Sequence, residues 1–79
     1  MSPTVFRHKG YRFYFFSREE ARMHVHVSTS KGEGKFWIEP NIELAMNAGL
    51  TKRDVVNILE IIREKRNEIV DSWKKHFKA

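Results

Sequence analysis

The sequence predicts an α+β fold: two β-hairpins forming an antiparallel sheet, followed by a short helix and a long C-terminal helix packed on one face. Two observations carry this expectation. Up to residue 39 the side chains alternate with a period of two, in runs rich in aromatic and β-branched residues. From Pro40 onward the apolar period lengthens to that of a helix. The 79 residues predict one domain, 1–79, with hairpins over 3–39, a short helix over 41–48 and a long helix over 51–77. A chain of this length buries a modest core, and its 13% aromatic content helps, because each ring buries a large area.

The first hairpin is "TVFRHKGYRFYFFS", with His8, Lys9 and Gly10 supplying the turn. In its second half Tyr11, Phe13 and Phe15 share one face, and Arg12, Tyr14 and Phe16 share the other. Both faces are partly apolar, which predicts a central strand or one covered on both sides. "SREEAR" is polar and reads as a connecting loop. "MHVHVST" and "KFWIE" alternate cleanly about "SKGEG", a turn by its glycines, and form the second hairpin.

Across that hairpin the apolar faces must coincide. Val25 and Val27 belong with Phe36 and Ile38, which requires opposed residue numbers with an odd sum. A turn centred on Lys31-Gly32 meets the requirement. It sets Val27 opposite Phe36, Val25 opposite Ile38, His26 opposite Trp37 and His24 opposite Glu39. One face then gathers His24, His26, Lys35, Trp37 and Glu39.

"PNIELAMNAG" reads as the short helix, closed by Gly49. "LTKRDVVNILEIIREKRNEIVDSWKKHF" reads as the long one. Thr51 is its N-cap, Asp54 stands three residues on, and Leu50 with Val55 form a hydrophobic staple. Val55, Ile58, Leu59, Ile62, Ile69, Val70, Trp73 and Phe77 make its apolar stripe. Lys74, Lys75 and Lys78 fall where the helix dipole favours cations. Arg66 interrupts the stripe; its stem is expected to pack while its head reaches water, the alternative being a buried guanidinium paired with a carboxylate.

Bulk composition narrows the function classes. There is no cysteine, which excludes disulfides and thiolate metal sites and fits a reducing compartment. No signal-peptide pattern or membrane-length apolar run is seen, so the expected location is the cytoplasm, with no membrane partner. The net charge of +5 favours nucleic acid or an acidic protein as partner, although acidic residues are interspersed with the basic ones.

Two sets of residues could carry function. On the histidine face, His24, His26 and Glu39 could act as general acid and base in phosphodiester cleavage, with Lys35 steadying the charged transition state. The same imidazoles and carboxylate are ordinary zinc ligands, but the spacing singles out no metal site and implies no cofactor. Trp37 could stack on a base, with Arg22 and Lys31 as nearby cations. The simpler reading is a polar, solvated or partner-binding sheet face, with Trp37 partly covered by a helix or another subunit. The second set lies at the helix corner. Ala45, Gly49, Val55 and Ile58 have helix-turn-helix spacing, which would turn Lys52, Arg53 and Asn57 toward DNA.

Taken together, "TVFRHKGYRFYFFS", "HVHV", "KFWIEP", "LAMNAGL" and "NEIVDSWKKHF" resemble the small prokaryotic domain of unknown function numbered 4160. The likeness is most specific at His24-Val25-His26-Val27, Lys35-Phe36-Trp37, Pro40, Gly49, Arg66 and Trp73. The chain departs from the family pattern at Arg22-Met23, where relatives often carry Pro-Pro. The resemblance implies a toxin–antitoxin-like gene neighbourhood with another family of unknown function, numbered 2442. A cognate partner protein encoded by the neighbouring gene is therefore expected. RNA and DNA are both candidate targets, and self-association into a homo-oligomer is compatible with the sequence.

Overall fold

The computed structural model describes residues 4–16 and 21–77. Five strands, β1 (Thr4–His8), β2 (Tyr11–Tyr14), β3 (His24–Ser28), β4 (Glu33–Trp37) and β5 (Glu43–Ala48), precede two helices, α1 (Lys52–Glu64) and α2 (Arg66–His76). The strands form one antiparallel sheet in the order β1-β2-β3-β4-β5. The α+β expectation is met, with the sheet first and the helices last. Of the loop expected over 17–22, residues 17–20 lie outside the described residues, as does Lys78.

The first turn follows from its residues. His8 pairs with Tyr11, and both intervening residues, Lys9 and Gly10, have positive φ (51° and 81°). A two-residue hairpin whose twist matches its strands needs this geometry at both positions, and glycine adopts it without steric cost. The alternation in β2 also holds. Tyr11, Phe13 and Phe15 enter the core, while Tyr14 is buried from the opposite side.

The second turn differs from the expected one. The pairs are His24 with Trp37, Val25 with Phe36, His26 with Lys35 and Val27 with Gly34. The register has moved by two residues, so Glu39 is not opposite His24. Thr29 is the cause. Its hydroxyl accepts hydrogen bonds from the Lys31 and Gly32 N–H groups, and its own N–H donates to the Gly32 carbonyl at 2.8 Å. This closes the turn around Ser30-Lys31, as hydroxyl side chains do in tight turns. The sum of opposed numbers stays odd, so the valines remain core residues, both fully buried.

Residues 41–48 are not the expected short helix. Glu43–Ala48 is strand β5, paired with β4 through Leu44 opposite Phe36 and Met46 opposite Lys35. Glu, Leu, Ala and Met are good helix formers, but propensity is a weak prior and so short a helix has little stability of its own. Pairing with β4 satisfies a row of backbone groups that would otherwise end the sheet. Gly49 keeps a positive φ of 96°, but it turns the chain from β5 into α1 rather than closing a helix. The helix-turn-helix reading falls with the missing helix.

The start of α1 agrees with the sequence. The Thr51 hydroxyl accepts from the Asp54 N–H at 3.0 Å, and the Asp54 carboxylate accepts from the Thr51 N–H at 3.1 Å. Asp54 also accepts from the Tyr11 hydroxyl at 3.0 Å. These bonds, the Thr51 N–H first, hold the Asp54 carboxyl below its ordinary pKa. A depressed carboxylate contributes stability above its unfolded pKa and loses it as pH falls through the lower folded value. Thr51→Ala is expected to cost about 1 kcal/mol. Asp54→Asn is expected to flatten the acid limb of a melting-temperature profile. An unchanged acid limb would show that the cap does not couple α1 to pH.

One long helix over 51–77 is replaced by two segments. Lys65 leaves helical geometry (φ −105°, ψ 20°) between α1 and α2. The apolar stripe continues across the break. Ile58, Ile61, Ile62, Ile69 and Trp73 are buried, and Val55, Leu59, Val70 and Phe77 pack around them. They cover Phe13, Phe15, Val25, Val27, Phe36 and Ile38 of the sheet. Each buried Phe or Ile contributes about 1.5–3 kcal/mol. Arg66 is not a buried charge: its head stays at the surface, where it donates to Glu39 at 3.2 Å, with the two side chains 40% and 50% exposed.

Candidate functional site

The sheet has two unlike faces. One is closed by the helices. The other carries Arg12, Tyr14, His24, His26, Lys35, Trp37 and Met46, as the pairing of β2 through β5 dictates. Both histidines sit on this face, but neither is a surface group. His24 is fully buried and His26 is 7% exposed. The His24 ring lies 5.2 Å from His26, 5.7 Å from Trp37 and 5.1 Å from Trp73, all edge-on. Trp73 also meets Phe15, so this one side chain of α2 touches residues of both sheet faces. The His24 Nδ1–H donates to the Arg22 carbonyl at 2.7 Å, which fixes the ring's orientation. His26 stacks on Tyr14 at 5.5 Å and meets Phe16 at 4.4 Å.

Of the four residues expected to share catalysis, the structure brings His24, His26 and Lys35 together. Glu39 lies beyond the end of β4, engaged by Arg66. Its backbone carbonyl accepts from Arg22 Nε at 2.8 Å. Among the described residues no three His, Asp or Glu side chains converge as metal ligands would.

The accessible part of this face is cationic and aromatic. The Arg22 guanidinium lies 4.2 Å from the centre of the Trp37 ring, and the Lys35 ammonium lies 4.6 Å from the same ring. Arg12 lies 4.5 Å over Tyr14, and Phe16 beside them is 40% exposed. Such contacts hold long cationic side chains in one place at little cost in solvation. Tyr14 donates to Glu33 at 3.1 Å. Its burial, then that bond and the Glu33 charge, push the phenol pKa upward, so it remains a neutral donor. Arg22 also meets Glu43 at 3.4 Å, an exposed pair. At Arg22-Met23 this chain thus has a cation on Trp37 and a buried Met23.

The six expected nucleic-acid contacts separate into two groups. Trp37 and Arg22 lie on the open face. Lys31 lies at the opposite end of the sheet, close enough to Asp54 to help lower its pKa, beside exposed Lys52 and Arg53 at the start of α1. Asn57 donates to the Tyr11 hydroxyl at 3.3 Å and so turns toward the first hairpin. Arg12, Tyr14 and Phe16 were legible as one face of a strand, but not as neighbours of the histidines. That required knowing that β2 pairs with β3, setting Tyr14 opposite His26. A cleft of about 310 Å³ near the end of α2, lined by Thr4, Val5, Phe15, Ser72, Lys75 and His76, contains none of these residues.

Fold and face define a small α+β protein with one helix-covered sheet surface and one open surface of rings and cations. No described helix is long and apolar enough to cross a membrane. The chain belongs to the family described as Domain of unknown function (DUF4160), whose model matches residues 10–74. No curated protein and no solved structure matches it.

Proposed function

We propose that this protein is a cytoplasmic component of a toxin–antitoxin-like module that binds a cognate partner protein, and that its open sheet face binds single-stranded RNA. The observation that carries the RNA reading is the placement of Arg12, Arg22 and Lys35 on the rings of Tyr14 and Trp37. Cations spaced along a sheet face meet successive phosphates, and an exposed ring such as Phe16 offers a base a surface to stack on. The partner and the module rest on the family resemblance read from the sequence.

Binding is better supported than cleavage. General acid–base work needs an imidazole within reach of the scissile phosphate, and both imidazoles lie beneath aromatic side chains. A short single-stranded RNA should therefore bind without being cut. Three phosphate contacts predict a slope of log affinity against log salt of about −2. Arg22→Ala with Lys35→Ala should reduce that slope and weaken binding, while Lys52→Ala with Arg53→Ala should leave it unchanged. Fluorescence anisotropy with a labelled oligonucleotide measures both. Binding lost only in the Lys52/Arg53 variant would move the contact to the other end of the sheet. Cleavage by the wild type that His26→Gln abolishes would restore the catalytic reading. Growth on induced expression, alone and with the neighbouring-gene product, tests the module.

A further inference from the structure

The cleft near the end of α2 lies outside the open face but is joined to it by two hydrogen bonds. Arg12, which sits over Tyr14 on that face, donates from Nε to the Thr4 hydroxyl at 2.8 Å. His76 Nε2–H donates to the Phe16 carbonyl at 3.4 Å, and its ring stacks on Phe15 at 5.7 Å. The walls of the cleft are of two kinds. Val5 and the buried Phe15 are apolar. Thr4, Ser72, Lys75 and His76 bring two hydroxyls, an ammonium and an imidazole, and no lining residue is acidic. Because the Thr4 hydroxyl accepts from Arg12, its own proton remains to donate. Among the described residues Lys75 makes no ion pair. The volume of about 310 Å³ falls at the small end of the range for ligand pockets, about 300–1,000 Å³.

We propose that this cleft binds the phosphate monoester of a nucleotide, supplied by the phosphorylated end of an RNA strand lying on the open face or by a free mononucleotide. A monoester carries more negative charge than the diesters within a strand and presents three acceptor oxygens. The hydroxyls of Thr4 and Ser72 and the Lys75 ammonium are donors for them, while Val5 and Phe15 give the nucleoside an apolar wall. The C-terminal end of a helix carries about half a negative charge, which by itself repels an anion. The ammonium groups of Lys74 and Lys75 in the last turn of α2 outweigh it. A second cleft, beside His8, is lined by Glu60 and Glu64 and would repel a phosphate. The strand-end source rests on the RNA reading above; the mononucleotide source does not.

Two titrations of the full chain test this. Amide NMR spectra compare uridine monophosphate with uridine at the same concentration. The monophosphate is expected to shift the amides of Thr4, Ser72, Lys75 and His76, and uridine is not. Competition anisotropy compares one short RNA carrying a phosphate at either end or at neither. If a strand end is the source, one phosphorylated form should bind about tenfold tighter, the scale of a charge-assisted hydrogen bond or two. Ser72→Ala with Lys75→Ala should abolish the shifts and this advantage. Binding of the unphosphorylated strand and the circular dichroism melt should stay at wild-type values. Shifts without an affinity advantage assign the cleft to a free mononucleotide. Shifts with no strand bound overturn the RNA reading and leave the cleft standing. A monophosphate that shifts none of these amides, or shifts that survive the double variant, overturn the proposal. Binding of the unphosphorylated strand would then leave the RNA reading intact.

Discussion

Trp73→Ala is expected to destabilise the protein by about 3–5 kcal/mol, the range for removing a buried large aromatic. Trp73 is 8% exposed and sits 4.1 Å from Phe77, 5.1 Å from His24 and 5.4 Å from Phe15, centre to centre. It joins α2 at once to Phe15, just past the end of β2, and to β3, so its loss opens the core and uncovers His24. Since small domains have only about 5–15 kcal/mol in total, the variant should melt far below the wild type or fail to fold. Trp73→Phe keeps a ring in the site and should recover part of the loss. A thermal melt of Trp73→Ala within a few degrees of wild type would mean that α2 does not pack as described.

His24→Ala is expected to cost about 2–4 kcal/mol, as removal of a buried side chain of this size does. The ring is fully buried among Trp37, His26 and Trp73, and it holds the Arg22 carbonyl. The alternating pattern alone would have made it a surface residue, with a change below about 0.5 kcal/mol. Val25→Ala should be costly too, because Val25 is fully buried on the other face. Stability thus does not separate the two faces of β3, whereas substitution of Arg22 and Lys35, beside its histidines, is expected to weaken RNA binding without unfolding the chain. Urea titration of His24→Ala decides the first point. A midpoint equal to the wild type's would return His24 to the surface and reopen it as a reactive group.

The parts of the fold that were legible in the residues are those governed by local chemistry. Lys9-Gly10 suit a tight hairpin turn, Thr51 and Asp54 cap a helix, and the period-two runs alternate where β2 pairs with β3 and β3 with β4. The stripe from Val55 to Phe77 found the core because helical spacing is fixed by backbone geometry. Residues 41–48 were misread because a short amphipathic run satisfies both periods, and the choice lies with the neighbour it meets. The candidate site was half legible. Parity put both histidines and Trp37 on one face, but a register set by the Thr29 hydroxyl replaced Glu39 with Lys35 and Trp37 as neighbours.

Residue order alone settles which side chains of β2, β3 and β4 share a face, where α1 begins, and that sheet precedes helix along the chain. These depend on bonds and torsions within a few residues. Tertiary packing decides the rest: that β5 is a strand, that β2 lies beside β3, and that Trp73 and Phe16 cover the histidines. Each of these is a contact between segments distant in the chain, formed because it buries apolar surface or satisfies a backbone edge that no local rule can see.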